Sequence, residues 1–220
     1  MNLSHNYIDI HTHTILNSGG IEVLNLTVQG LLESDPIDCN NAFSLGVHPW
    51  EVGVFNESEV ITKISSVANP NFLFIGEIGL DKVKNDNYAQ QEVIFEQLIN
   101  LAKSLSKPLI IHSVKAHYDV ISKLKNFQFP VIIHGYNGKI GPLKEFLKRG
   151  FYISISPNLL RNVLKAKNIL ELIPLDKLFI ETDDTSLSIM ELYKQVAEIK
   201  NITEEELVDI CYQNFLRVIQ

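Results

Sequence analysis

Short runs rich in β-branched and aromatic residues alternate with longer amphipathic runs along the whole chain, and this alternation fixes the fold class. The strand candidates are 7–13 (YIDIHTH), 21–28 (IEVLNLTV), 41–48 (NAFSLGVH), 72–79 (FLFIGEIG), 108–113 (PLIIHS), 130–136 (PVIIHGY), 151–156 (FYISIS) and 178–183 (LFIETD). Between them, apolar residues recur at helical spacing. Val60, Ile64 and Val67 do so in ESEVITKISSVA; Val93, Leu98, Leu101 and Leu105 do so in YAQQEVIFEQLINLAKSL. Further runs follow at 118–127, 141–150, 163–173 and 189–200, and the last, TEEELVDICYQNFLRVI, opens with Thr203 and Glu206 at capping-box spacing. Strands that alternate with helices form parallel βαβ units. Eight of them in this order predict an α/β fold, a TIM-type (β/α)8 barrel. No linker, repeat or low-complexity run divides residues 1–220, so one domain is expected.

One joint departs from this scheme. Only TILNSGG separates the first two strand candidates, where a parallel crossover takes a dozen or more residues. Either the first helix is missing and the second strand distorted, or that strand is antiparallel or outside the barrel. The shortened crossover without its helix is the expectation carried forward.

The formal charge of −7 offers no broad cationic surface to track a nucleic-acid backbone, so an acidic substrate would have to be gripped locally. Cys39 and Cys211 match no metal or redox spacing and read as buried small hydrophobes in a reducing compartment. The start of the chain has no signal-peptide pattern and no run has membrane-spanning length. A cytoplasmic protein with no membrane association and no obligate protein partner is expected.

The first strand carries an unusual face. Alternation puts Asp9, His11 and His13 on one side and Ile8, Ile10 and Thr12 on the other. Of seven histidines, five lie on or at the C-terminal ends of strand candidates: His11, His13, His48, His112 and His134. Glu77 and Asp183 hold the same position on two more. In a (β/α)8 barrel the active site is built at that end, from several strands. Imidazoles and carboxylates gathered in a barrel mouth are costly without a cation to neutralise them. A metal site is expected there. Asp9, one strand repeat below His11, and Glu181, one below Asp183, read as partners that orient the ligating groups. Ser154 and Ser156 face the same interior. His5 and His117 read as peripheral.

Six motifs in order, IDIHTH, GVHPW (46–50), GEIGLD (76–81), PLIIHS (108–113), IIHGYNG (132–138) and ETDD (181–184), resemble the TatD family of metal-dependent hydrolases, whose barrels are related in architecture to those of the amidohydrolases. The resemblance implies two divalent ions, with zinc, manganese, magnesium, nickel or iron as candidates. His11, His13, Glu77 and Asp183 would bind one, and Glu77, His112 and His134 the other, with Glu77 bridging. It implies hydrolysis of ester linkages, chiefly phosphodiesters of DNA. Asp183 would serve as ligand and as the group that orients or deprotonates the attacking water. His48 would bind a substrate oxygen or protonate the leaving group.

Four positions depart from the family pattern. Val114 stands where an arginine is common after the fourth histidine ligand, Gly135 and Asn137 flank Tyr136, and Thr185 replaces a frequent proline. Val114 removes a guanidinium suited to bidentate phosphate binding; Lys115, Lys139 and Arg161 follow strand ends and are candidates to compensate. Three readings remain on the sequence alone. They are a two-metal phosphodiesterase trimming nucleic acid from an end, a hydrolase of a carboxylic ester or amide such as a lactone or aminoacyl ester, and a non-catalytic metal-binding protein.

Overall fold

The computed structural model describes residues 7–33, 40–84 and 86–220. Its strands are β1 (Ile8–Thr12), β2 (Ile21–Leu26), β3 (Phe43–Leu45), β4 (Phe72–Asp81), β5 (Leu109–Val114), β6 (Val131–Ile133), β7 (Tyr152–Ile155) and β8 (Leu178–Ile180). The helices are α1 (Val28–Glu33), α2 (Glu57–Ser66), α3 (Tyr88–Leu105), α4 (His117–Lys123), α5 (Ile140–Lys148), α6 (Pro157–Leu160), α7 (Val163–Leu170), α8 (Ile189–Lys200) and α9 (Glu204–Ile219). In the sheet the strands follow chain order from β1 to β8. Each predicted strand is present within a few residues of its expected limits. Cys39 and His5 lie outside the described residues; Cys211 is buried.

The chain divides into two compact units, residues 1–24 with 133–220 and residues 25–132. The division falls inside β2 and inside β6.

In the first unit, β1 and β2 are parallel, with Ile8 opposite Ile21 and Asp9 opposite Glu22. No helix lies between them, so the shortened crossover is resolved in favour of a parallel second strand. Glu22 makes the tight connection possible: its carboxylate accepts from the backbone N–H of Leu16 (2.8 Å) and of Ser18 (2.6 Å) and from the Ser18 hydroxyl (2.6 Å). Those bonds satisfy polar groups that a helix would otherwise have satisfied internally. β1 is covered by the end of the chain. The Tyr193 hydroxyl, on α8, donates to the Ile8 carbonyl (3.0 Å) and accepts from the Ile8 N–H (3.2 Å). The Tyr7 hydroxyl donates to Glu204 on α9 at 2.5 Å. Burial raises the Tyr193 phenol well above its ordinary value, so it keeps its proton. Tyr193→Phe strands both backbone groups of Ile8. It is expected to cost about 1–3 kcal/mol and to lower the midpoint of thermal unfolding by several degrees; an unchanged melting curve would contradict this account.

α9 opens with the capping box expected from sequence: the Thr203 hydroxyl accepts from the Glu206 N–H (3.2 Å), and the Glu206 carboxylate accepts from the Thr203 N–H (2.9 Å). Its buried Asn214 donates to the carbonyls of Leu175 (2.8 Å) and Leu178 (3.0 Å), which ties α9 to β8.

In the second unit, β3, β4 and β5 are parallel neighbours. Gly79 on β4 pairs with His112 on β5 at φ +152°, and a Cβ there would meet the His112 carbonyl oxygen at 1.9 Å. α3 packs on these strands through Gln91, Ile94, Phe95, Leu98, Ile99 and Ala102. The stripe expected to start at Val93 is therefore displaced by about one residue, and Val93 is exposed. Gln91, a polar residue on the buried face, shifts the phase: its side chain accepts from the Asp81 N–H (2.9 Å) and donates to Lys84 O (2.5 Å), which clamps the end of β4.

Candidate metal centre

Asp183 follows β8 and is joined to β1 by backbone hydrogen bonds. Its N–H donates to His11 O, and the His13 N–H donates to Asp183 O, both at 3.0 Å. Asp183 adopts φ +58°, a left-handed conformation that aspartate tolerates better than most residues and that recurs at functional sites. This pairing brings together two elements remote in sequence. Asp183 Oδ1 lies 3.8 Å from His11 Nε2 and 3.7 Å from His13 Nε2. The His11 and His134 rings approach to 4.6 Å between centroids. Below them, Asp9 accepts from the Thr182 N–H (3.0 Å) and the Thr182 hydroxyl (2.5 Å) and so fixes the segment that carries Asp183. Burial pushes the Asp9 carboxyl up to about 7, although the Thr182 bonds pull the other way. Glu181 is wholly buried, with Oε1 at 3.2 Å from His134 Nδ1.

A second group stands in the unit of residues 25–132. Glu77 Oε1 lies 2.7 Å from His112 Nδ1 and 3.4 Å from His48 Nε2. Asn25 accepts from the Glu77 N–H at 3.0 Å. Asp81, two strand repeats beyond Glu77 and so on the same face, lies 3.5 Å from His112 Nε2 and accepts the Trp50 indole N–H at 2.7 Å. Burial works against the Asp81 charge, but hydrogen bonds from His112, Trp50 and the N–H groups of Val83 and Lys84 outweigh it and hold the carboxyl well below its usual range. The His48 ring is oriented by the Trp50 backbone N–H, which donates to Nδ1 at 3.1 Å.

Trp50 and Asp81 lie in the motifs GVHPW and GEIGLD, but neither is among the residues that the sequence marks as candidate ligands. The period-2 alternation Glu77, Gly79, Asp81 was the available signal. His117, read as peripheral, pairs with the Ser113 hydroxyl at 2.8 Å.

The donor sets suit a divalent ion. His11, His13 and Asp183 offer ligand atoms within 4.8 Å of one another, as do His134, Glu181 and Asp183, and as do His48, Glu77 and His112. Imidazole with carboxylate is the ligand chemistry of zinc, manganese, iron and nickel.

Histidines and acids at the C-terminal ends of parallel strands define a metal-dependent hydrolase. A family model described as TatD related DNase matches residues 38–220. An uncharacterized metal-dependent hydrolase of Methanocaldococcus jannaschii is 32% identical over 189 residues, covering 80% of this chain and 74% of its own. A 3'-5' ssDNA/RNA exonuclease TatD of Cronobacter turicensis is 30% identical over 162 residues, covering 71% of this chain and 62% of its own. Among solved structures, a TatD homolog of Escherichia coli superimposes with a TM-score of 0.81 at 18% identity and 98% coverage of both chains. The chain belongs to the TatD-related DNase family, and its fold is the TIM-type (β/α)8 barrel. No helix among the described residues is long and apolar enough to cross a membrane.

Proposed function

We propose that the chain is a two-metal hydrolase of phosphodiesters that removes nucleotides from an end of a nucleic-acid strand, with His11, His13, Glu77, His112, His134 and Asp183 as the metal ligands. The observation that carries this reading is that histidine–carboxylate sets with donor atoms within 4.8 Å occur in both units: His11, His13 and Asp183, and His134, Glu181 and Asp183, in the first, and His48, Glu77 and His112 in the second. Donor sets in both units suit more than one ion. Bound divalent ions would lower the pKa of water and polarise the phosphoryl oxygens.

The protein's own groups then divide the remaining work. Asp183, an acceptor beside two imidazoles, orients the attacking water and takes its proton. His48 has a more definite part than the sequence alone allowed. Its Nδ1 accepts the Trp50 N–H, which assigns the ring hydrogen to Nε2 and makes that atom the one that donates to a substrate oxygen. Trp50, half exposed beside His48 with ring centroids 5.1 Å apart, offers an aromatic face on which a base can stack.

The test uses purified protein loaded with Mn²⁺, Zn²⁺ or Mg²⁺ and a single-stranded oligonucleotide labelled at either end. Progressive shortening from one end, abolished by chelation, is expected; inertness with every metal would overturn the proposal. Val114 supports a second reading, a carboxylic ester or amide substrate, because it leaves this position without a guanidinium for phosphate. Chromogenic carboxylic esters run beside a phosphodiester separate the two. Metal loading alone has its own expected result. An ion present at about 100 times its Kd should stabilise the fold by about 2.7 kcal/mol, read as a higher unfolding midpoint than in chelator.

A further inference from the structure

Glu181 is fully buried in the first unit, where a carboxylate is costly unless it has a task. It follows β8, and its N–H donates to Ile155 O at 3.1 Å, which continues the β7–β8 register so that Ser156 stands beside it. One oxygen, Oε1, is committed: it lies 3.2 Å from His134 Nδ1. Gly135 makes room for that contact. A Cβ at position 135, where φ is +51°, would stand 3.2 Å from Glu181 Oε1 and 3.7 Å from Ser156 Oγ. A side chain there would press the carboxylate away from the neighbouring imidazole, and the left-handed backbone itself favours glycine.

An imidazole whose Nδ1–H is given to a carboxylate has its tautomer fixed and its Nε2 lone pair free for an ion, and the carboxylate raises the basicity of that nitrogen. We propose that Glu181 is the positioning residue for His134: it holds the proton on Nδ1 and the ring in the orientation that presents Nε2 to the metal. This rests on His134 being a ligand, as proposed above. The competing possibility is direct ligation by Glu181, since its donors also lie within 4.8 Å of those of His134 and Asp183. The commitment of Oε1 to Nδ1 favours positioning.

Titration of the full chain with Co²⁺, followed by visible absorption, distinguishes these cases through Glu181→Met, Glu181→Gln, His134→Ala and the double variant Glu181→Met/His134→Ala. Methionine keeps the volume and removes the acceptor. It is expected to weaken Co²⁺ binding about 10- to 100-fold and to shift the absorption bands. The metal-free protein should remain folded, because the buried charge that is removed offsets the hydrogen bond that His134 Nδ1 loses, and circular dichroism without metal checks this. Glutamine keeps an acceptor oxygen without the charge and should fall between wild type and methionine. In the His134→Ala background the methionine substitution should add no further loss, since the two residues act as one unit. Wild-type Co²⁺ affinity in both Glu181 variants, with His134→Ala weakened, would overturn the positioning role and leave the metal reading intact. Further weakening in the double variant would make Glu181 a direct ligand and overturn it as well. Unchanged affinity in His134→Ala would remove His134 from the centre and this inference with it. Failure of both Glu181 variants to fold without metal would assign the residue to the fold instead.

Discussion

Gly79→Ala is expected to leave the protein unfolded and largely insoluble. The added methyl would stand 1.9 Å from the His112 carbonyl oxygen and 2.9 Å from its carbon, and both are backbone atoms that cannot rotate aside. Relief requires β4 and β5 to separate where Gly79 pairs with His112, next to two ladder partners on either side. A disruption of this kind costs more than about 4–5 kcal/mol, a large share of the roughly 5–15 kcal/mol that holds a domain together. Gly150→Ala is the control. That glycine has φ +77° and open space around its would-be Cβ, so only the conformational cost of about 1–2 kcal/mol applies. Soluble yield and circular dichroism of the two variants measure the difference. A folded Gly79→Ala protein with a melting curve like that of Gly150→Ala would refute the close-approach argument.

Asp183→Asn is expected to lower hydrolysis at least about 1,000-fold, which is about 4 kcal/mol of transition-state stabilisation, without unfolding the chain. The substitution keeps size and tolerates the left-handed backbone, and the bonds between residue 183 and His11–His13 are made by main-chain atoms that the variant retains. What changes is the oxygen 3.7–3.8 Å from the two imidazoles: it loses its charge, and its companion becomes an amide nitrogen that cannot accept a proton. Turnover at saturating Mn²⁺, with circular dichroism as the fold check, decides the matter. Activity within tenfold of wild type would remove Asp183 from the centre of the mechanism.

Much of this architecture could be read in advance because it is written in local periodicity. Strands such as FLFIGEIG and helices such as IMELYKQVAEIK carry their pattern within one window. What stayed hidden is instructive. α1 and α6 have six and four residues, too few for a 3.6-residue repeat to declare itself. The phase of α3 turned on Gln91, which is buried because it clamps the end of β4, a tertiary task that a hydrophobicity pattern cannot register. The strand-end histidines and acids were visible as a set because each repeats one placement relative to its strand. Trp50 and Asp81 were not, because their relation is a hydrogen bond across 31 positions of chain. The placing of the His48 ring hydrogen likewise depends on a backbone donor whose direction only coordinates give.

The missing first crossover helix has a consequence for biosynthesis. Because β1 is tied by Tyr193 and Tyr7 to α8 and α9, its hydrogen-bonded cover does not exist until residues 189–219 have left the ribosome. Residues 25–132 are contiguous and can gather as they emerge, whereas β1 must wait for helices that lie far beyond it in the chain. The nascent chain therefore carries His11 and His13 without that cover until α8 and α9 emerge, and the segment that holds Asp183 joins them shortly before.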